Sequence, residues 1–289
     1  MKITRRDFLK TTALTSLYFA GFGGTTYANA GTKKNLVIIM LRGGMDGLCA
    51  IPVKGDKNFE KLRSKINLDR TLKLTSDFDL HPALKTFKNL WDENLSAAVH
   101  ATNIPYTGRS HFDGQNLMES GGKIPYQEKT GWLGRGMKTA GLTGQGLALA
   151  LPMPLLIRGV PMNNNYFPVG RSLPYPATLE LIKQAYKEHD EKLLSNNLEI
   201  ILNRDFNNRS RDDAWILASS AGTELSKPDG PKVAVFEVDG FDTHAAQGAT
   251  DGAHADCLSD YDNIVRSLKS SMSEESFNNT LVLTLTEFG

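Results

Sequence analysis

Three short runs of this chain are apolar almost without a break, and each empties into a turn carrying glycine or acid. They are residues 35–41 (NLVIIML), 233–238 (VAVFEV, interrupted by Glu237) and 280–286 (TLVLTLT). A strand with one face in water alternates apolar and polar side chains, whereas a run without alternation fits a strand covered on both faces, as parallel sheets are. The β-branched content of the first run suits a central strand. Between the last two runs, Cys257, Leu258, Tyr261, Ile264, Val265, Leu268 and Met272 recur at helical spacing over residues 253–272. Strand, helix and strand in that order form the unit of a parallel sheet. The expected class is therefore α/β, a mostly parallel central sheet with helices on both faces.

Open sheets of this kind carry their ligand sites at the carboxyl ends of the strands. The first run leads into Arg42-Gly43-Gly44-Met45-Asp46-Gly47, the second into Asp239-Gly240-Phe241-Asp242-Thr243-His244, and the third ends at Glu287. Carboxylate and imidazole are the groups that hard or borderline divalent cations take as ligands. Asp46, Asp242, His244 and Glu287 are thus the metal-ligand candidates. The competing reading makes the aspartates turn residues that bond their own backbone. Arg42 either grips an anionic substrate or pairs with Asp46. The glycines around Asp46 do not form GxGxxG, and no phosphate-loop lysine follows, so no nucleotide site is expected.

A further loop-to-helix junction lies in residues 101–122, ATNIPYTGRSHFDGQNLMESGG, with the helix starting near Ser110. A hydroxyl at a helix start is either a nucleophile or anion contact, or simply the N-cap. Arg109 would add a fixed positive charge for an oxyanion. No GxSxG is present, and His111, as the next residue, points elsewhere than Ser110, so the two do not make a dyad by adjacency.

Other helices are expected near 59–65, over 82–94 with Pro82 opening it, from Gly131 onward, over 177–202 in two pieces, and over 212–225. Residues 95–100 read as a strand, and 147–158, with its two prolines, as an edge or broken strand. Residues 162–176 read as a loop. His81, His254 and Asp256 read as polar residues near helix starts.

The first 30 residues read as an address. Arg5-Arg6-Asp7-Phe8-Leu9-Lys10 is a twin-arginine pattern, a modestly apolar segment follows, and Ala28-Asn29-Ala30 is a small-x-small cleavage box. The order of these parts predicts a signal peptide, export to the periplasm with the Tat translocase as partner, and a remaining domain from 31 to 289. No run of about 20 apolar residues follows, so no membrane span is expected in the mature protein. The whole chain has a net charge of +1, the signal is basic, and the remainder is slightly acidic. The absence of a basic stripe argues against nucleic acid as a partner. Cys49 and Cys257 are the only cysteines, two being too few for a disulfide framework, although export would let them pair. A strand running straight to Gly289 reads as a domain incomplete at its C-terminus.

The stretches LVIIMLRGGMDGL, LHPALKTFKNLW, AAVHATNIPYTGRSHFDGQNLMESG, TGWLGR, FDTHAAQ and LVLTLTEFG, behind a twin-arginine signal, together resemble the bacterial domain-of-unknown-function family 1501. That family is similar to the alkaline phosphatase and sulfatase superfamily. The resemblance implies an alkaline-phosphatase-like sheet and one or two divalent metals (zinc, manganese, magnesium or calcium) at strand ends. It further implies hydrolysis of anionic phosphate or sulfate esters by a metal-bound nucleophile. It assigns Asp46, Asp242, His244 and Glu287 to the metal and Ser110, or less readily Thr107, to the nucleophile, with Arg42 or Arg109 on the anionic oxygens. The chain departs from the pattern after Glu287: no His follows, and the family's Arg after TEFG and its downstream Asp-His-Gly are absent. The alternative on the same fold is a non-catalytic exported protein that binds a polysaccharide or a partner at the cell surface.

Overall fold

The computed structural model describes residues 33–66, 68–149, 153–161, 163–165, 176–188 and 214–288. The signal segment, most of 162–176 and the second helical piece expected beyond residue 188 lie outside the described residues. Strands β1 (Asn35–Leu41), β4 (Gly146–Leu149), β5 (Asn164–Asn165), β6 (Val233–Val238) and β7 (Thr280–Thr286) form one sheet in the order β5-β4-β6-β1-β7. Every pairing in it is parallel. A small antiparallel pair, β2 (Leu72–Lys73) with β3 (Asp79–Leu80), stands apart. The expected α/β class with a parallel sheet is what the chain adopts.

Strand periodicity divides the core in two. Val37, Ile39 and Leu41 share a face with Ala234, Phe236, Val238, Leu147 and Leu149. Helices α3 (Lys85–Asp92), α7 (Ala214–Leu225) and α8 (Ala253–Ser271) cover that face with Leu90, Leu217, Ala218, Ala221, Leu258, Ile264 and Leu268. Ile38 and Met40, with Val233, Val235 and Ala148, point the other way. They meet Met118 of α4 (His111–Ser120), Leu133 and Met137 of α5 (Trp132–Thr139), and Leu156 and Ile157 of a 3-10 turn (Leu155–Ile157). Both faces of β1 and β6 are therefore dry, which is why their sequences lack alternation.

Four local expectations need correction. Residues 95–100 form no strand; they run irregularly, with Leu95 and Val99 exposed. The helix expected over 82–94 begins only at Lys85, and its first N–H groups are satisfied from outside: both Asp262 carboxylate oxygens accept from Thr86 N, at 2.8 and 3.0 Å. Of the edge-or-broken reading of 147–158, the edge part fails, since β5 and β6 flank β4, while the broken part stands: the strand covers Gly146–Leu149 and Leu155–Ile157 is a 3-10 turn. β7 reads as a strand buried on both faces, yet it is an edge of the sheet among the described residues. Leu281 and Leu283 share the side of the sheet that α4 and α5 cover over β1 and β6, but they lie beyond that cover and are 53% and 39% exposed. One-turn helix α1 (Gly47–Ala50), α2 (Lys57–Leu62), α6 (Pro176–Glu188) and α9 (Glu274–Asn278) complete the described elements, with a second 3-10 turn at His244–Ala246. No helix among the described residues is long and apolar enough to cross a membrane.

Candidate functional site

The carboxyl ends of β1, β6 and β7 lie side by side, so the turns after them must share a small volume. Gly43, φ +111°, makes this possible: a Cβ there would sit 2.2 Å from the backbone nitrogen of Asp242. Only glycine allows both this φ and this approach. Helix α4 closes the third side, again through a glycine, since a Cβ on Gly114 would lie 3.0 Å from the Phe288 ring.

In this space Glu287, fully buried, accepts three hydrogen bonds on Oε1: from the backbone N–H of Gly43 at 2.8 Å, from Gln115 Nε2 at 2.9 Å and from His111 Nδ1 at 2.9 Å. Burial pushes the Glu287 pKa up, but the Gln115, His111 and backbone donors outweigh it and hold the carboxyl below its ordinary range. An ionised Glu287 accepting from Nδ1 puts a proton on that nitrogen of the imidazole. His111 Nε2 faces Asp242 Oδ1 at 3.4 Å, and the same oxygen lies 3.0 Å from His244 Nε2. His244 is exposed and holds a left-handed backbone, φ +46°. The arrangement is a row: buried carboxylate, half-exposed imidazole, exposed carboxylate, exposed imidazole. An imidazole anchored at one ring nitrogen is a group that can exchange a proton at the other.

Of the expected residues, Asp242, His244 and Glu287 are brought into this row. Asp46 is close by but turned aside. It caps α1 through Cys49 N at 3.1 Å, and its other oxygen takes Gln247 Nε2 at 2.8 Å and the Arg63 guanidinium. Against a burial effect in the opposite direction, Arg63 and Gln247 hold its carboxyl below the ordinary range.

Arg42 neither faces the site nor pairs with Asp46. Strand alternation sends it to the side of Met40 and Glu237, beneath α4, where it is clamped between Glu119 (2.8 Å) and Glu237. Ser110 is the N-cap of α4, its Oγ accepting from Asp113 N at 3.3 Å. Arg109 is exposed, and among the described residues it makes no ion pair. Cys49 and Cys257 are free thiols; burial pushes the Cys49 pKa up to about 11, so it is no thiolate at neutral pH.

His111 and Gln115 were not singled out as site residues from sequence. The available signal was their spacing of four, which puts both on one face of α4. An aromatic group completes the surroundings. Phe288 packs on His111, ring centroids 4.7 Å apart, and stacks with Tyr106 at 6.4 Å. The Tyr106 hydroxyl donates to Asp113 Oδ2 at 3.3 Å. Partial burial, then the same Asp113 carboxylate, raise the Tyr126 phenol above its ordinary pKa.

The four side chains expected to hold a divalent cation do not converge into one cage. Asp46 and Glu287 have their oxygens engaged by internal donors, leaving Asp242 and His244 as a pair. Among the described residues no group of three or more His, Cys, Asp or Glu side chains is placed to hold a metal ion. No family model, no curated protein and no solved structure matches this chain.

Proposed function

We propose that the protein is an exported hydrolase of anionic esters, phosphate or sulfate, on an alkaline-phosphatase-like sheet, with His111 as its general acid–base. The observation that carries this reading is the bond between His111 Nδ1 and the buried, multiply bonded Glu287. A neutral imidazole held there accepts a proton from water at Nε2 as the water oxygen attacks phosphorus or sulfur. The bond from that atom to the ester oxygen breaks, and the departing oxygen takes the proton from His111. Glu287 stays ionised throughout and stabilises the imidazolium that forms between the two transfers. Exposed Arg109, two residues before His111, meets the anionic oxygens. Ser110 keeps its capping role, and water is the nucleophile. No step is assigned to a metal, because the expected ligands do not converge; Asp242 and His244 are the pair left to one. Export through the Tat translocase to the periplasm belongs to the same proposal and rests on the signal pattern.

The test is turnover of 4-nitrophenyl phosphate and 4-nitrophenyl sulfate by the purified chain. His111→Gln is expected to lower kcat/KM by about 100-fold or more, while Ser110→Ala changes it less than about threefold and costs about 1 kcal/mol of stability as a lost cap. Absence of turnover of both esters, or a His111→Gln variant as active as the parent, overturns the reading.

A further inference from the structure

Helices α3 and α8 run side by side in the same direction: Asp262 of α8 meets Thr86 at the start of α3, and further along both, Lys269 meets Glu93 at 2.9 Å. Between them lies a groove of about 570 Å³ that follows α8 from Gly252 to Arg266, about 20 Å at the rise of a helix. Its walls are held in place. The Asp262 carboxylate accepts from Thr86 N and Phe87 N. At the other end the Arg70 guanidinium donates to Asp251 at 2.7 Å, and the Thr250 hydroxyl donates to Asp69 at 2.6 Å. A groove fixed before its ligand arrives loses less freedom on binding.

The walls restrict what the ligand can be. Among the described residues the only apolar side chains lining the groove are Pro82, Ala83 and Ala255, and no aromatic ring lines it. Arg70, Lys85 and Arg266 are balanced by Asp251, Asp256 and Asp262, so the groove selects neither an anion nor a cation. Lys85, Asn89, Asp256 and Ser259 are exposed, and their side chains make no hydrogen bond or ion pair among the described residues. They offer an ammonium donor, an amide that donates and accepts, a carboxylate acceptor and a hydroxyl that does both. Peptides are recognised by strand addition at a sheet edge, by an apolar groove for a helix, by aromatic rings for a proline-rich segment, or by an arginine cluster for an acidic motif. This groove, walled by two helices and balanced in charge, supplies none of these.

We propose that the groove binds a short uncharged glycan, whose hydroxyls bond to Lys85, Asn89, Asp256 and Ser259. A sugar hydroxyl both donates and accepts, so one chain of them satisfies all four groups in succession. The site shares no residue with the His111 row and does not depend on the hydrolase reading.

The experiment is calorimetric titration of the purified chain with maltotriose, cellotriose and triacetylchitotriose, with trialanine as the peptide probe. At least one trisaccharide is expected to bind, and trialanine is not. Asn89→Ala and Asp256→Ala each weaken the sugar by roughly 3- to 10-fold, the loss of one or two hydrogen bonds, and the double variant weakens it further. Both side chains are exposed, so these variants fold as the parent does and keep its ester turnover, while His111→Gln binds the trisaccharide as the parent does. Absence of binding of all three trisaccharides, binding that survives the double substitution, or trialanine bound as tightly as the sugar overturns the assignment and leaves the hydrolase reading untouched.

Discussion

At the scale of single residues the site depends on Glu287 and on the donors that keep it charged. A carboxylate with no exposure would ordinarily take up a proton; three N–H groups on one oxygen prevent this. Glu287→Gln keeps the shape but removes the charge that anchors His111 Nδ1. Its expected effect is a loss of kcat on the order of 100-fold with little change in KM, read by steady-state kinetics, since the imidazolium then forms without a counter-charge. Gln115→Glu would replace one of these donors by a second carboxylate, whose repulsion raises the Glu287 pKa. Gly43 belongs to the same unit, because its N–H is one of the three donors and its missing Cβ admits the backbone of Asp242.

At the scale of elements, the position of α4 decides what the site can be. Arg42 fastens this helix to the sheet: it bridges Glu119 on α4 and Glu237 on β6, and the second Glu119 oxygen accepts from Leu156 N at 2.9 Å in the adjacent 3-10 turn. All three charged side chains are largely buried. Arg42→Ala leaves two carboxylates without a counter-ion in a low-dielectric space, and the expected destabilisation is about 3–5 kcal/mol, measured by urea unfolding. The double variant Arg42→Met with Glu119→Gln restores part of it by removing a buried charge along with its partner. The arginine that reads as a substrate contact is therefore a structural clamp. The sequence does not reveal this because Glu119 is 77 positions away, and only the packing of α4 over Met40 brings it near.

At the scale of the whole molecule, acid should unfold the protein in two stages. His254 is 1% exposed, and neither ring nitrogen has a hydrogen-bond partner among the described residues. Burial is the main cause that lowers its pKa to about 4, with Asp46 acting in the opposite direction. The folded chain thus refuses a proton that the unfolded chain accepts near pH 6.5. Stability is unaffected above pH 6.5, falls as the pH drops below it, and has lost about 3 kcal/mol by pH 4. Glu287 and Asp46 act lower. Their folded pKa values are depressed, so they stabilise above the ordinary carboxylate range and that contribution disappears as the pH falls through their folded values. His254→Leu is expected to flatten the decline between pH 6.5 and 4 and to leave the lower stage in place, as followed by thermal melting across that range. A melting temperature that falls equally in parent and variant would contradict this account.

How much of this could be read from the chain depends on whether local or long-range contacts decide it. Residues 35–41, 233–238 and 280–286 declared themselves as strands because hydrophobic runs and β-branched residues are local properties, and the helix over 253–271 did so through its spacing. The parallel sheet, and the gathering of Asp242, His244 and Glu287 at one end of it, followed from strand–helix–strand order. The edge position of β7 did not, because a run of apolar residues is the same whether or not helices extend over it. Nor did the partners of the charged groups. Whether Asp46 meets Arg42 or Arg63, and whether Glu287 meets a metal or the imidazole of His111, is settled by side-chain direction and by contacts across 17 to 176 positions of chain. The sequence by itself determined the layers of the fold and the end at which its acidic and imidazole groups collect. Only the tertiary structure decided which of them face one another, since a charge buried at a strand end takes whichever counter-group the packing places within hydrogen-bond reach.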